Sequence, residues 1–154
     1  MDVKDLCAGF DSVSACLSKG LGAPAGTLLV GRRDFIQKAK RARKILGGAM
    51  RQAGILAAAG LYALEFNVER LAQDHRNAER LASGLRELDL AVECHTNMVF
   101  VRIPAGKLDG LEGYLKKRGI LVLPAARTRL ATHLDVDAEG IELAVAALAG
   151  YFRN

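Results

Sequence analysis

Lys19 opens a glycine-rich stretch, K-G-L-G-A-P-A-G, directly after an alternating segment that runs from Asp11 to Ser18. The alternation predicts a strand, and three glycines with a proline in eight residues exclude a regular element after it. The G-x-G-x-x-x-G spacing departs from the dinucleotide fingerprint, and the lysine precedes the glycines instead of following them as in a P-loop. A Schiff base with an aldehyde cofactor fits better, because desolvation and neighbouring cations favour the neutral amine that this reaction needs. A surface lysine in a turn is the alternative.

The elements after this loop alternate between apolar and charged segments. Thr27 to Val30 predicts a second strand, and Asp34 to Leu46 predicts a basic helix that ends at a glycine pair. Ala49 to Phe66 predicts a helix that is apolar nearly all round, so we expect it to be buried against a sheet or a partner subunit. Val68 to Leu88 predicts an amphipathic helix with Asp74 on its solvent face.

The second half of the chain predicts a small α/β layer. Four short strands are predicted at Ala91–Cys94, Met98–Ile103, Leu121–Leu123 and Arg129–Thr132, with helices at Leu108–Arg118 and Asp137–Tyr151. The fold class is therefore α/β, with an incomplete sheet domain at 1–66, a connecting helix at 67–88 and a small C-terminal domain at 89–154. Because two leading strands do not make a stable sheet, the sequence indicates part of a larger structure.

Composition narrows the functional classes. The 154 residues carry a net charge of +5, and the basic run from Arg32 to Lys44 contains no nucleic-acid-binding motif. Three widely spaced cysteines argue against a disulfide framework and against zinc. The most apolar window, Ala53 to Leu64, is too short to span a bilayer, and no secretory signal is visible. We expect a soluble, cytoplasmic protein that binds neither nucleic acid nor membrane.

Several long blocks resemble the low-specificity L-threonine aldolases. They are D-S-V-S-A-C-L-S-K-G-L-G-A-P-A-G-T-L-L-V-G, G-G-A-M-R-Q-A-G-I-L-A-A-A-G, T-N-M-V-F-V and R-L-A-T-H-L-D-V. The resemblance runs from about Cys7 to Tyr151. It implies a pyridoxal-phosphate-dependent transferase-like fold, the C-terminal part of the large sheet domain plus the small domain. It also implies pyridoxal 5'-phosphate as cofactor, a β-hydroxy-α-amino acid as substrate and a homo-oligomer, either a dimer or a tetramer.

The resemblance assigns roles to four residues. Lys19 matches the lysine that holds the cofactor, and Arg129 matches the arginine that binds the substrate α-carboxylate. Arg127, on the same strand face, is the rival for that role, and a surface arginine at a strand edge is the plain alternative. Lys44 and Arg51 match cations that approach the cofactor phosphate, largely from a neighbouring subunit; a basic helix end is the alternative.

The resemblance also implies groups that lie before the lysine in the family. They are an aspartate under the pyridine nitrogen, a stacking histidine and a phosphate-binding loop. We expect an aldehyde-lyase that cleaves threonine or allo-threonine to glycine and acetaldehyde, and we expect this chain alone to be inactive. The alternatives are another lyase or transferase with the same cofactor and fold, and an inactive dimerisation fragment.

Overall fold

The structure is a computed structural model that describes residues 2–153, and it divides into two compact units. The first unit runs up to Glu69 and the second begins at Arg70. The sequence predicts that residues 67–88 form a helix connecting two domains. In the structure this helix, from Leu71 to Arg86, lies wholly in the second unit. No helix among the described residues has the length and hydropathy that spanning a membrane requires.

The first unit is a hairpin with three helices. Its elements are α1 (Val3–Cys7), β1 (Ser12–Cys16), β2 (Thr27–Gly31), α2 (Arg33–Ile45) and α3 (Gly54–Phe66). The two strands are antiparallel, and the innermost pair is Cys16 opposite Thr27. The predicted strand, glycine-rich loop and second strand are thus confirmed, and Lys19 lies in the loop that joins them.

A glycine turn ends α2 as the sequence predicts. Gly47 adopts a left-handed backbone with φ of 77°, which favours glycine. Its N–H donates to the Lys44 carbonyl at 3.1 Å, and the N–H of Gly48 donates to the Arg43 carbonyl at 2.8 Å. These two bonds form a Schellman motif, which satisfies the last carbonyls of the helix and fixes the direction in which the chain leaves it.

The apolar helix α3 differs from the expectation in two ways. It begins at Gly54 rather than at Ala49, because residues 51–53 form a turn after the glycine-ended α2. Its buried residues are Gly60 and Ala63, whereas Ile55 is 81% exposed and Leu61 is 67% exposed. The described residues do not bury α3 as the sequence predicts, and the helix leaves a large apolar surface exposed.

The second unit packs helices on one face of an antiparallel sheet. Its elements are α4 (Leu71–Arg86), β3 (Val92–His95), β4 (Met98–Arg102), a 3-10 turn (Ala105–Lys107), α5 (Leu111–Lys116), β5 (Arg127–Ala131) and α6 (Ala138–Phe152). The strand order is β3-β4-β5. Along β4, Val99 and Val101 face the helices and are 0% and 2% exposed, as the period of two requires.

Close packing of α4 against α6 depends on a glycine. A Cβ placed on Gly84 would lie 2.5 Å from Cγ1 of Val145, so a larger residue would force the helices apart. Leu81 and Leu85 on α4 and Leu148 on α6 belong to the same buried cluster. This cluster is much larger than that of the first unit, which consists of Leu17, Ala23 and Ala63 with Leu21 against it.

Tertiary contacts overturn two local predictions in this unit. The strand predicted at Leu121–Leu123 is wrong: residues 121–125 have no regular structure, and Leu121 and Leu123 are 81% and 84% exposed. The short apolar run favours an extended backbone there, but a strand also needs a hydrogen-bonding partner. Asp74 was expected at the solvent face and is instead 1% exposed, paired with Arg70 through two hydrogen bonds of 2.8 Å.

A third difference concerns the helix predicted over Leu108–Arg118. It is reduced to α5, preceded by the 3-10 turn. Gly110 takes a φ of 84° and separates the two, since a left-handed residue cannot continue a right-handed helix.

Candidate active site

Main-chain hydrogen bonds hold the lysine-bearing loop at both ends. The N–H of Leu17 donates to the Gly26 carbonyl at 2.9 Å, and the N–H of Ala23 donates to the Leu17 carbonyl at 3.0 Å. Within the loop, the N–H of Gly22 donates to the carbonyl of Lys19 at 2.9 Å. Leu17 anchors the arrangement because its side chain is 6% exposed. The loop is irregular in shape but has a defined path.

The side chain of Asn67 fixes the middle of the loop. Its Nδ2 donates to the Leu21 carbonyl at 2.8 Å, from a position just after α3. Gly22 and Gly26 have φ values of 71° and 127°, which residues with a Cβ adopt at a cost. The sequence signal for the glycines was clear, whereas nothing in the sequence marked Asn67 as their partner.

Lys19 itself is exposed, with its backbone fixed by these contacts. The desolvation expected of a cofactor lysine is not produced by the described residues. At the end of β1, hydrogen bonding from the Ser18 hydroxyl, 3.4 Å from Sγ of Cys16, lowers the pKa of Cys16. The positive charge of Lys19 lowers this pKa further. The exposed amine of Lys19, next to the end of this strand, is accessible to an electrophilic ligand.

The two predicted phosphate cations are also in the first unit. Lys44 lies in the last turn of α2, and Arg51 lies in the turn before α3. Both are exposed, and neither side chain forms an ion pair within residues 2–153. An exposed cation without a carboxylate partner keeps its charge available for an anion such as phosphate.

The predicted carboxylate ligand and its rival lie in the second unit, on the sheet face that points away from the helices. Arg127 and Arg129 alternate with Thr128, which is 3% exposed and faces inward. Arg127 Nη2 donates to Glu93 Oε2 at 3.0 Å, and its guanidinium lies 4.2 Å from the ring centroid of Phe100. Arg127 is therefore already engaged on both its edge and its face.

Arg129 is placed differently from its neighbour. It is directly opposite Phe100 in the β-ladder, and Phe100 is opposite Glu93. Its guanidinium is exposed and makes no hydrogen bond, ion pair or ring contact among the described residues. The sequence does not separate the two arginines, because the separating contact comes from Glu93 on β3, the opposite edge strand of the sheet and far along the chain.

The fold defines the class of protein. A candidate L-allo-threonine aldolase from Listeria monocytogenes superposes with a TM-score of 0.80 at 22% identity, over 98% of this chain and 47% of that one. A serine palmitoyltransferase solved with pyridoxal phosphate superposes with a TM-score of 0.74 at 18% identity, over 96% of this chain and 41% of that one. At such identities the likeness shows the fold, and the predicted pyridoxal-phosphate-dependent transferase-like fold is confirmed.

The family follows from the sequence. The chain belongs to the beta-eliminating lyase family, whose model matches residues 1–105. It is 51% identical over 139 residues to the low-specificity L-threonine aldolase of Escherichia coli O157:H7, which is 90% of this chain and 42% of the relative. The resemblance stated from the motifs is confirmed, and the chain spans less than half the length of this relative.

The residues present fit part of a pyridoxal phosphate site. Lys19 supplies an accessible amine on a fixed loop, and Lys44 and Arg51 supply cations without carboxylate partners. These groups match the aldehyde and the phosphate of the cofactor in chemical type. The groups that would face the pyridine ring belong, by the resemblance, to a region before Lys19.

Proposed function

We propose that this chain is the lysine-bearing part of the cofactor domain and the small C-terminal domain of a low-specificity L-threonine aldolase. The observation that carries the proposal is the placement of Lys19. It lies on an exposed loop that is fixed by main-chain hydrogen bonds, inside the segment matched by the family model and by the 51% identical relative. An accessible amine on a fixed backbone is what covalent capture of an aldehyde requires.

In this proposal Lys19 holds the aldehyde carbon of pyridoxal phosphate, and Lys44 and Arg51 neutralise its phosphate. When bound, the cofactor withdraws the electrons that remain on Cα after the Cα–Cβ bond breaks. The cations act in the assembled oligomer, and the exposed apolar face of α3 is consistent with burial there.

Arg129 binds the substrate carboxylate. Its guanidinium is exposed and has no carboxylate partner among the described residues, so it can form two parallel hydrogen bonds to the substrate. Fixing the carboxylate also fixes which bond at Cα is aligned for cleavage. Threonine would then break between Cα and Cβ, with a proton removed from the β-hydroxyl and a proton added at Cα, to give glycine and acetaldehyde, whose atoms together equal those of threonine.

Another reaction of the same family is the second candidate. The family is described as beta-eliminating lyases, and β-elimination from threonine would give 2-oxobutanoate and ammonia. The same lysine and cofactor would serve, so the two reactions differ in their products rather than in these residues.

A product assay separates the two. The chain would be joined behind the region that precedes the matched segment in the Escherichia coli relative, and this hybrid would be incubated with pyridoxal phosphate and L-threonine. We expect glycine and acetaldehyde in equal amounts, and their loss in the Lys19→Ala hybrid. Formation of 2-oxobutanoate and ammonia would instead support β-elimination. If neither pair of products forms, the proposed activity is contradicted.

A further inference from the structure

A buried polar network lies just beyond β5. Thr132 directly follows the strand, and its side chain is 1% exposed. Its hydroxyl donates to the backbone carbonyl of Asp74 on α4 at 2.7 Å. Asp74 is also 1% exposed, so this hydrogen bond is shielded from water. A shielded hydrogen bond between a strand end and a helix restrains both elements.

Asn97 makes a second connection to the same residue. Its carbonyl accepts from the N–H of Thr132 at 3.0 Å, and its Nδ2 donates to the Thr132 carbonyl at 2.9 Å. This pair continues the β-ladder beyond Met98 and Ala131 by one step. Thr132 is thus held through its main chain by the β3–β4 turn and through its side chain by α4.

The residues after Thr132 are fixed by the same helix. Nδ2 of Asn77, which is 6% exposed, donates to the Val136 carbonyl at 2.9 Å. Asp74 is itself fixed by two hydrogen bonds of 2.8 Å from Arg70. One face of α4 therefore restrains both ends of the segment from Thr132 to Val136.

We propose that Thr132 is a positioning residue for Arg129, an inference that rests on the proposed function. Arg129 lies three residues before Thr132, about 10 Å along an extended chain. Its guanidinium has no partner of its own in the described chain, so the position of the strand sets the position of the guanidinium. β5 pairs with β4 on one side, and the hydrogen bond from Thr132 to α4 is an additional restraint at its end.

The hydroxyl, rather than the size of the side chain, carries this role. Thr132→Val keeps the shape and removes the donor, whereas Thr132→Ser keeps the donor and removes a methyl group. Leu115→Val serves as a stability control, because Leu115 is 1% exposed in the same core and takes no part in the network.

The test uses the hybrid protein described above. We expect Thr132→Val to raise KM for threonine about 3- to 10-fold, with kcat and the cofactor absorbance nearly unchanged, since small displacements of a binding group weaken binding. Thr132→Ser should restore the original KM. Leu115→Val should lower the melting temperature while leaving KM unchanged.

A double variant decides whether the effect passes through Arg129. If it does, Thr132→Val adds nothing to KM in the Arg129→Ala background, because coupled residues are not additive. Additive effects, or an unchanged KM in Thr132→Val, would overturn the positioning role while leaving the proposed function standing. An unchanged KM in Arg129→Ala alone would overturn the carboxylate assignment, and the positioning role with it.

Discussion

The guanidinium of Arg127 and the carboxylate of Glu93 lie 3.0 Å apart, although their strands are separated by β4. The arginine reaches across the sheet over the ring of Phe100, with its Cζ 4.2 Å from the ring centroid. Arg129, on the same face, has no such partner in the described part of the chain. The ion pair with Glu93 therefore distinguishes Arg127 from Arg129, although the two arginines lie only two residues apart on the same strand face.

This difference predicts unequal effects of two substitutions. In the hybrid, Arg129→Ala should raise KM for threonine roughly 30- to 1000-fold, because losing a charge-assisted bidentate pair costs about 2–4 kcal/mol. Arg127→Ala, the matched control, should change KM less than about 3-fold, since an exposed ion pair contributes little. Steady-state kinetics with the cofactor absorbance as a check would measure both, and the reverse order would show that Arg127 is the ligand.

The proposed contacts of Lys44 and Arg51 with the cofactor phosphate predict how their substitution affects cofactor binding. Replacing either by Ala should weaken binding of pyridoxal phosphate to the hybrid by roughly tenfold, since a hydrogen bond to a charged group contributes about 1.5 kcal/mol. Binding of pyridoxal, which lacks the phosphate, should not change. Titration by absorbance compares the two ligands, and equal weakening of both would mean that these cations act on something other than the phosphate.

The two units should differ in stability when the chain of 154 residues is studied alone. Amides of α4, such as those of Leu81 and Leu85, should exchange slowly, because they belong to the large buried cluster. Amides of β1 and β2 should exchange fast, since this hairpin has a small core. The boundary of protection is therefore expected near Arg70, not near Asp89 as the sequence alone indicated.

Two substitutions check that assignment. Leu85→Ala should lower the free energy of unfolding by about 2–5 kcal/mol, because its side chain is 1% exposed. Leu61→Ala, at a 67% exposed position of α3, should change it by less than about 0.5 kcal/mol. In the exchange experiment, equally slow amide exchange in both units would contradict the predicted difference in their stability.

Cys16 gives a pH-dependent prediction. Hydrogen bonding from Ser18 lowers its pKa, whereas burial raises the pKa of the Cys94 thiol. Because the thiolate is the reactive form, Cys16 should be alkylated faster than Cys94 near neutral pH. Ser18→Ala should move the midpoint of the Cys16 rate profile to higher pH, and Ser14→Ala on the same strand should not. Mass spectrometry of iodoacetamide adducts measures these rates, and faster labelling of Cys94 would refute the assignment.

Local signals predicted the features that depend on a few neighbouring residues. The strand before Lys19, the glycine-rich loop and the glycine end of α2 follow from residue types within one or two turns. The roles of Lys19 and Arg129 came from resemblance, because no short-range pattern distinguishes them from a surface lysine or arginine.

Two of the features that the sequence missed depend on distant contacts. Asp74 is polar at a helix position that looked exposed, and its burial becomes acceptable only through Arg70 and the segment that contains Thr132. Leu121 and Leu123 belong to a short apolar run of the kind that forms strands, but no neighbouring strand pairs with them among residues 2–153. Such cases need the tertiary structure, since a single window cannot show which partner is present.

The most direct test of the proposed role of Lys19 is to trap the cofactor on this lysine. The hybrid would be incubated with pyridoxal phosphate, reduced with borohydride, digested and mapped by mass spectrometry, with the Lys19→Ala hybrid as control. We expect the label on Lys19, within the loop between β1 and β2, and no label in the control. A label on Lys44, or an equal label in the Lys19→Ala hybrid, would contradict this role.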